Sequence, residues 1–122
     1  MKKDRFRFRC FDTDIQKFIV GFRLCDYYKW PNGIIEQCTG LKDKNGRLIY
    51  EGDIIKITGD VMTIGLKYMD CLFKVIWSDN GFWFEMLDEN DCLGFCEYWE
   101  YEVVGNIHKN PELLEENNVS KN

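Results

Sequence analysis

The sequence predicts a mainly β protein, a small, strongly bent sheet or SH3-like barrel with a short C-terminal helix, and α+β as the neighbouring class. Three observations point there. Aromatic residues make up 16% of the 122-residue chain, and Phe, Tyr and Trp suit the pleated, half-buried surface of a sheet. Only two prolines occur, and several of the ten glycines stand beside Asn or Asp, as turn signals do. The densest such signals lie in Thr39 to Ile57, where Asn45-Gly46 and Glu51-Gly52-Asp53 each specify a reversal ahead of the β-branched run Ile54, Ile55, Lys56, Ile57.

Taken in order, Arg5 to Phe11 alternates, with Phe6, Phe8 and Cys10 on one face and Arg5, Arg7 and Arg9 on the other, which is the period of a half-buried strand. Asp12-Thr13-Asp14 is a turn, and Phe18 to Leu24 supplies its hairpin partner. Tyr27, Tyr28 and Trp30 form an aromatic loop ending in Pro31-Asn32-Gly33, and Ile34 to Thr39 is a short strand. Between Gly59 and Tyr68 the pattern weakens to a loop with strand character. Cys71 to Trp77 and Phe82 to Met86 form a hairpin across Ser78-Asp79-Asn80-Gly81. Asp88 to Cys96 reads as an exposed acidic loop, and Tyr98 to Ile107 as the last strand. Asn110 and Pro111 open a short helix anchored by Leu113 and Leu114. Residues 1–116 are expected to form one domain, with 117–122 a disordered tail.

The chain has no run of about 18 uncharged apolar residues, the length a membrane span needs, and its start lacks the apolar core of a signal peptide. A cytoplasmic location without membrane association is therefore expected. Six cysteines without a secretory context are expected to be reduced thiols. The formal net charge of −5 disfavours a general phosphate-backbone binder, but the charge is unevenly placed. Lys2, Lys3, Arg5, Arg7 and Arg9 crowd the start, whereas Glu85 to Glu102 holds seven acidic residues and no basic one.

Chemistry is sparse. Cys92 and Cys96 are the close cysteine pair and His108 is the single histidine, one ligand short of the usual structural zinc set. His108 lies in a polar stretch and reads as a surface residue rather than the base of a cysteine nucleophile. No Gly-Lys-Ser/Thr phosphate loop is present. The expectation is a protein without catalytic residues, metal or cofactor. Opposite charge at the two ends predicts a homo-oligomer with head-to-tail contacts. Arg5, Arg7 and Arg9, with Tyr27, Tyr28, Trp30, Phe82, Trp83 and Phe84 as stacking platforms, carry the alternative of a nucleic-acid-binding module.

The string Thr39-Gly40-Leu41-Lys42-Asp43-Lys44-Asn45-Gly46, with Ile49-Tyr50-Glu51-Gly52-Asp53-Ile54, resembles the YopX family of small proteins encoded by phages and prophages of Gram-positive bacteria. Phe6-Arg7-Phe8-Arg9 with Phe11-Asp12, and Val103-Val104-Gly105-Asn106-Ile107 with Asn110-Pro111-Glu112-Leu113-Leu114, extend the resemblance to both ends. It implies a phage or prophage setting, assembly into multimers and an unidentified protein partner; it implies no biochemical activity. The charged residues Lys42, Asp43, Lys44 and Glu51 exceed what turns require. Together with Arg5, Arg7 and Arg9 they are expected to form an exposed interaction surface.

Overall fold

The computed structural model describes residues 7–59, 68, 71–78, 81–87, 91–96 and 99–114. Two antiparallel sheets dominate, one of them curled into half a barrel. The first sheet has the order β2-β1-β3-β4, from β1 (Phe8–Asp12), β2 (Lys17–Phe18), β3 (Gly33–Lys42) and β4 (Leu48–Tyr50). The second has the order β8-β7-β6-β5-β9, from β5 (Asp53–Thr58), β6 (Leu72–Ser78), β7 (Gly81–Met86), β8 (Cys92–Leu93) and β9 (Glu100–Asn106). Among the described residues, helical turns are confined to a 3₁₀ segment, Leu24–Lys29, and to residues 111–114.

β5 is an interior strand of the second sheet, paired with β6 on one side and β9 on the other. Ile54, Ile55 and Ile57 are all fully buried, as a strand covered on both faces requires. Ile55 and Ile57 join Ile49, Phe73, Val75, Phe84, Met86, Tyr101 and Val103 in one apolar cluster. At ~25 cal/mol per Å² of apolar area, each large side chain in it stabilises the fold by roughly 1.5–3 kcal/mol before ordering costs. β9 bulges where Ile54 pairs with Gly105 but Ile55 pairs with Val103, so Val104 is left over and faces solvent.

Several expected elements take a different form. β3 does not stop at Thr39 but continues to Lys42, with a bulge between Cys38 and Lys42. Gly40 takes φ +86, where a side chain would strain the backbone, and the Thr39 hydroxyl both accepts from Leu41 N–H and donates to Ile49 C=O. The partner of β1 is only two residues long, and the following apolar residues turn into the 3₁₀ segment. Within the acidic loop, Cys92–Leu93 adds a strand to β7. Pro111 opens the helical turn as expected, but the Asn110 side-chain oxygen accepts from Asn106 N–H, tying that turn to the end of β9. Most of the segment from Gly59 to Tyr68 lies outside the described residues, as do Arg5, Phe6 and the tail.

Candidate functional site

Among the described residues two polar joints link the sheets, and one of them gathers Glu36 and the fully buried Asp53 around Arg9. Arg9 on β1 and Glu36 on β3 are directly paired in the ladder, and Arg9 Nε donates to Glu36 Oε1 at 2.9 Å. The same guanidinium donates through Nη2 to the Glu51 carbonyl at 3.1 Å and places Nη1 2.8 Å from Asp53 Oδ1. That last approach is an ion pair and gives the fully buried Asp53 Oδ1 its charge partner. Asp53 Oδ2 accepts from Tyr50 N–H at 2.8 Å. Burial pushes the Asp53 carboxyl above its ordinary range, and the Arg9 charge opposes the rise. Arg9 is also flanked by rings, its guanidinium 4.6 Å from the Phe18 centroid and 4.8 Å from that of Tyr50.

His108 completes the cluster. Its Nε2 lies 2.9 Å from Glu36 Oε2, and its ring stacks on Phe11 at 4.6 Å with 13° between planes. The expectation of a surface histidine is therefore corrected. Only 10% of its side chain is exposed, because the turn after β9 folds it onto β1 and β3. Gly52 makes room for this arrangement. It takes φ +87, and a Cβ there would collide with the Glu36 carboxylate. Its N–H donates to Val75 C=O, and its own C=O accepts from Ile107 N–H.

The second joint is the β3–β4 turn. Asp43 Oδ1 accepts from Asn45 N–H and Arg47 N–H, and Oδ2 reaches across to accept from Val103 N–H at 3.0 Å. Beside it, Lys44 N–H donates to Tyr101 C=O. Asp43 is buried, which corrects its expected place on an exposed surface: its carboxylate is turned inward onto three backbone N–H groups. Burial pushes its carboxyl up, but the three donors outweigh this and hold it below the usual value.

The other residues of the expected surface are dispersed. Lys42 and Lys44 are exposed, and Lys44 forms a 3.6 Å ion pair with Glu102. Glu51 is half-buried, and its Oε1 accepts from Gln37 N–H at 3.4 Å. Arg7 is exposed, whereas Arg9 is withdrawn into the cluster. Among the candidate stacking aromatics, Phe84 belongs to the core, Phe82 packs against it, and Trp83 donates its indole N–H to Ser78 C=O. Tyr27 and Tyr28 remain exposed. A groove of about 580 Å³ lined by Arg7, Arg9, Phe22, Arg23 and Tyr50 brings cationic and aromatic side chains together. In it, Arg9 is committed to carboxylates and Arg23 is paired with Asp26 at 2.9 Å.

A second groove, of about 430 Å³, opens over the Glu36–His108 pair. Ile34 and Ile35 line it from the first sheet, Ile76 and Trp77 from the second, and Ile107 and Glu51 complete the walls. Ile34, Ile35 and Trp77 are 41%, 37% and 48% exposed, so large apolar side chains from both sheets meet solvent together. Sequence reasoning missed this site, since Ile34 and Ile35 read as ordinary strand residues and no local signal marks their neighbours.

Comparison with known proteins agrees with the motifs. Over 74 residues the chain is 34% identical to the SPbeta prophage-derived uncharacterized protein YopX of Bacillus subtilis (strain 168), a match covering 57% of this chain and 52% of that protein. The chain therefore spans about half the length of this curated relative. Its fold is similar to the crystal structure of protein EF1440 from Enterococcus faecalis, with a TM-score of 0.62 and 28% identity over 88% of this chain and 96% of that one. Residues 11–115 match the family described as YopX protein, and the chain belongs to the YopX family.

Proposed function

We propose that this chain is a phage- or prophage-encoded protein of the host cytoplasm that works through self-association and binding of a protein partner, and performs no reaction of its own. The observation that carries this reading is the groove where Ile34, Ile35 and Trp77 stand exposed together. Clustered apolar side chains rimmed by polar groups are the usual mark of a contact surface. The prophage origin of the Bacillus subtilis relative supports the setting. No described helix is long and apolar enough to cross a membrane. The single imidazole is already engaged with Glu36 beneath the groove.

Sedimentation at low and moderate salt tests the assembly half. A species larger than a monomer is expected at both, and a monomer at both rejects it. Recovery of a specific protein with the tagged chain from infected cells tests the partner half. The nucleic-acid alternative is favoured only by the groove containing Arg7 and Tyr50. It predicts DNA binding that weakens steeply as salt rises. Absence of binding at low salt eliminates it.

A further inference from the structure

We infer that the groove between β3 and β6 takes an extended, apolar and basic peptide segment of another protein, which adds to the exposed strand edges. This rests on the protein-binding reading above and names its site and ligand chemistry.

The argument comes from the ladders. In an antiparallel pair, alternate residues direct both backbone polar groups at the partner strand, and the intervening residues direct theirs away. Cys38 N–H donates to Arg7 C=O, and in the same register the Arg9–Glu36 and Phe11–Ile34 pairs are the bonded ones. Gln37 and Ile35 therefore point away from β1. Gln37 C=O duly accepts from Glu51 N–H, since β4 and the following turn cover that position. β4 pairs with β3 only from Cys38 to Lys42, so no described strand meets Ile35 on the side away from β1.

The second sheet repeats the situation. Leu87 N–H donates to Leu72 C=O, so Lys74, Ile76 and Ser78 bond β7 while Phe73, Val75 and Trp77 point towards the β5 side. β5 pairs with β6 only as far as Lys74, and Gly52 N–H serves Val75 C=O. Trp77 then has no described strand opposite it. One groove thus contains two strand edges whose next outward backbone groups, at Ile35 and Trp77, are unanswered among the described residues, each flanked by exposed apolar side chains.

Backbone donors and acceptors in that setting fit an extended chain, and the isoleucine and tryptophan walls fit apolar side chains on it. Charge selects further. Glu36 is ion-paired with Arg9 and bonded to His108 Nε2, and Lys74 is matched by Glu85 at 3.5 Å. Glu51 has no ion pair among the described residues and one long hydrogen bond. It is the uncompensated charge of the groove and favours a lysine or arginine on the peptide.

The test uses the full chain with capped peptides of alternating valine and lysine, read by amide hydrogen exchange and tryptophan fluorescence. Saturable binding is expected at up to millimolar peptide, with slowed exchange at Ile35 and Trp77. Methylating alternate peptide nitrogens should abolish it, as should Ile35→Lys, an exposed position that tolerates a charge. Replacing the peptide lysines by glutamate should weaken binding roughly threefold to fivefold beyond the effect seen with Glu51→Gln, the range of one exposed ion pair. No binding, binding indifferent to N-methylation, or protection located elsewhere overturns the proposal. So does protection of both amides in the free protein that is lost on dilution, which would assign the groove to a second copy. If peptides fail while sedimentation and partner recovery succeed, the groove is wrong and the protein-binding reading stands.

Discussion

The two joints between the sheets are built from opposite materials. At the β3–β4 turn a single carboxylate, Asp43, holds three backbone N–H groups, two of them within four residues of itself. At the Arg9 cluster four ionisable side chains meet from β1, β3, β5 and the turn after β9, with Glu36 separated by 27 residues from Arg9 and by 72 from His108. The first joint is a turn that also reaches a neighbour. The second exists only when the whole fold is assembled, and its polar groups find their partners only as a set. A charge in such a set is worth little on balance but costs much when its partner alone is removed.

That contrast predicts a ranking of substitutions. Glu36→Ala leaves Arg9 and His108 without their shared acceptor in a buried setting and is expected to cost about 3–5 kcal/mol in urea unfolding. A loss below about 1 kcal/mol would show the cluster to be solvated and passive. Gly52→Ala acts on the same joint through the backbone, combining a strained positive φ with displacement of the Glu36 carboxylate. A loss of about 2–4 kcal/mol is expected, and it should shrink when measured in the Glu36→Ala background, where the collision is gone.

Asp43→Asn tests the other joint. An amide can keep the two local bonds but turns a donor towards Val103 N–H, at a cost of about 1–3 kcal/mol at neutral pH. The pH dependence follows from its lowered pKa. Such a carboxylate contributes stability above its unfolded value near ~4 and loses it as pH falls through the lower folded value. The gap between wild type and Asp43→Asn should therefore close as pH drops below about 4. Asp53, pushed up, has the opposite sign: its contribution is present below the unfolded value and is lost as pH rises through the folded one. An acid titration of Asp43→Asn isolates the first from the second.

The smallest effect belongs to the exposed lysines of the turn. Lys42→Glu with Lys44→Glu removes one surface ion pair and is expected to change stability by no more than ~1 kcal/mol. Unchanged sedimentation and unchanged partner recovery would remove this turn from any contact surface and leave it a purely structural joint.

The same contrast explains what was legible in the sequence. β1, β5, β6, β7 and β9 follow from period and residue type, and the Asn45-Gly46 and Gly52 reversals from the need for positive φ, all settled within a few residues. The bulge at Thr39-Gly40 was not legible, since a bulge is defined by the register of the opposite strand. The alternation at Arg7 and Arg9 separated two faces correctly. It was silent on the Arg9 side being covered by Glu36, Asp53 and the rings of Phe18 and Tyr50. The acidic run likewise looked continuous in sequence, yet Glu85 and Glu102 are matched by Lys74 and Lys44 across strands.

By itself, then, the sequence determined the strand-rich class, the reversals and the family, because backbone preference and side-chain period act over a few neighbouring residues. Tertiary structure alone decided that Arg9, Glu36, Asp53 and His108 form one buried set, and that the edges at Ile35 and Trp77 border one groove. Strand pairing and sheet apposition bring these residues together from distant parts of the chain, and no local preference encodes which strands will meet.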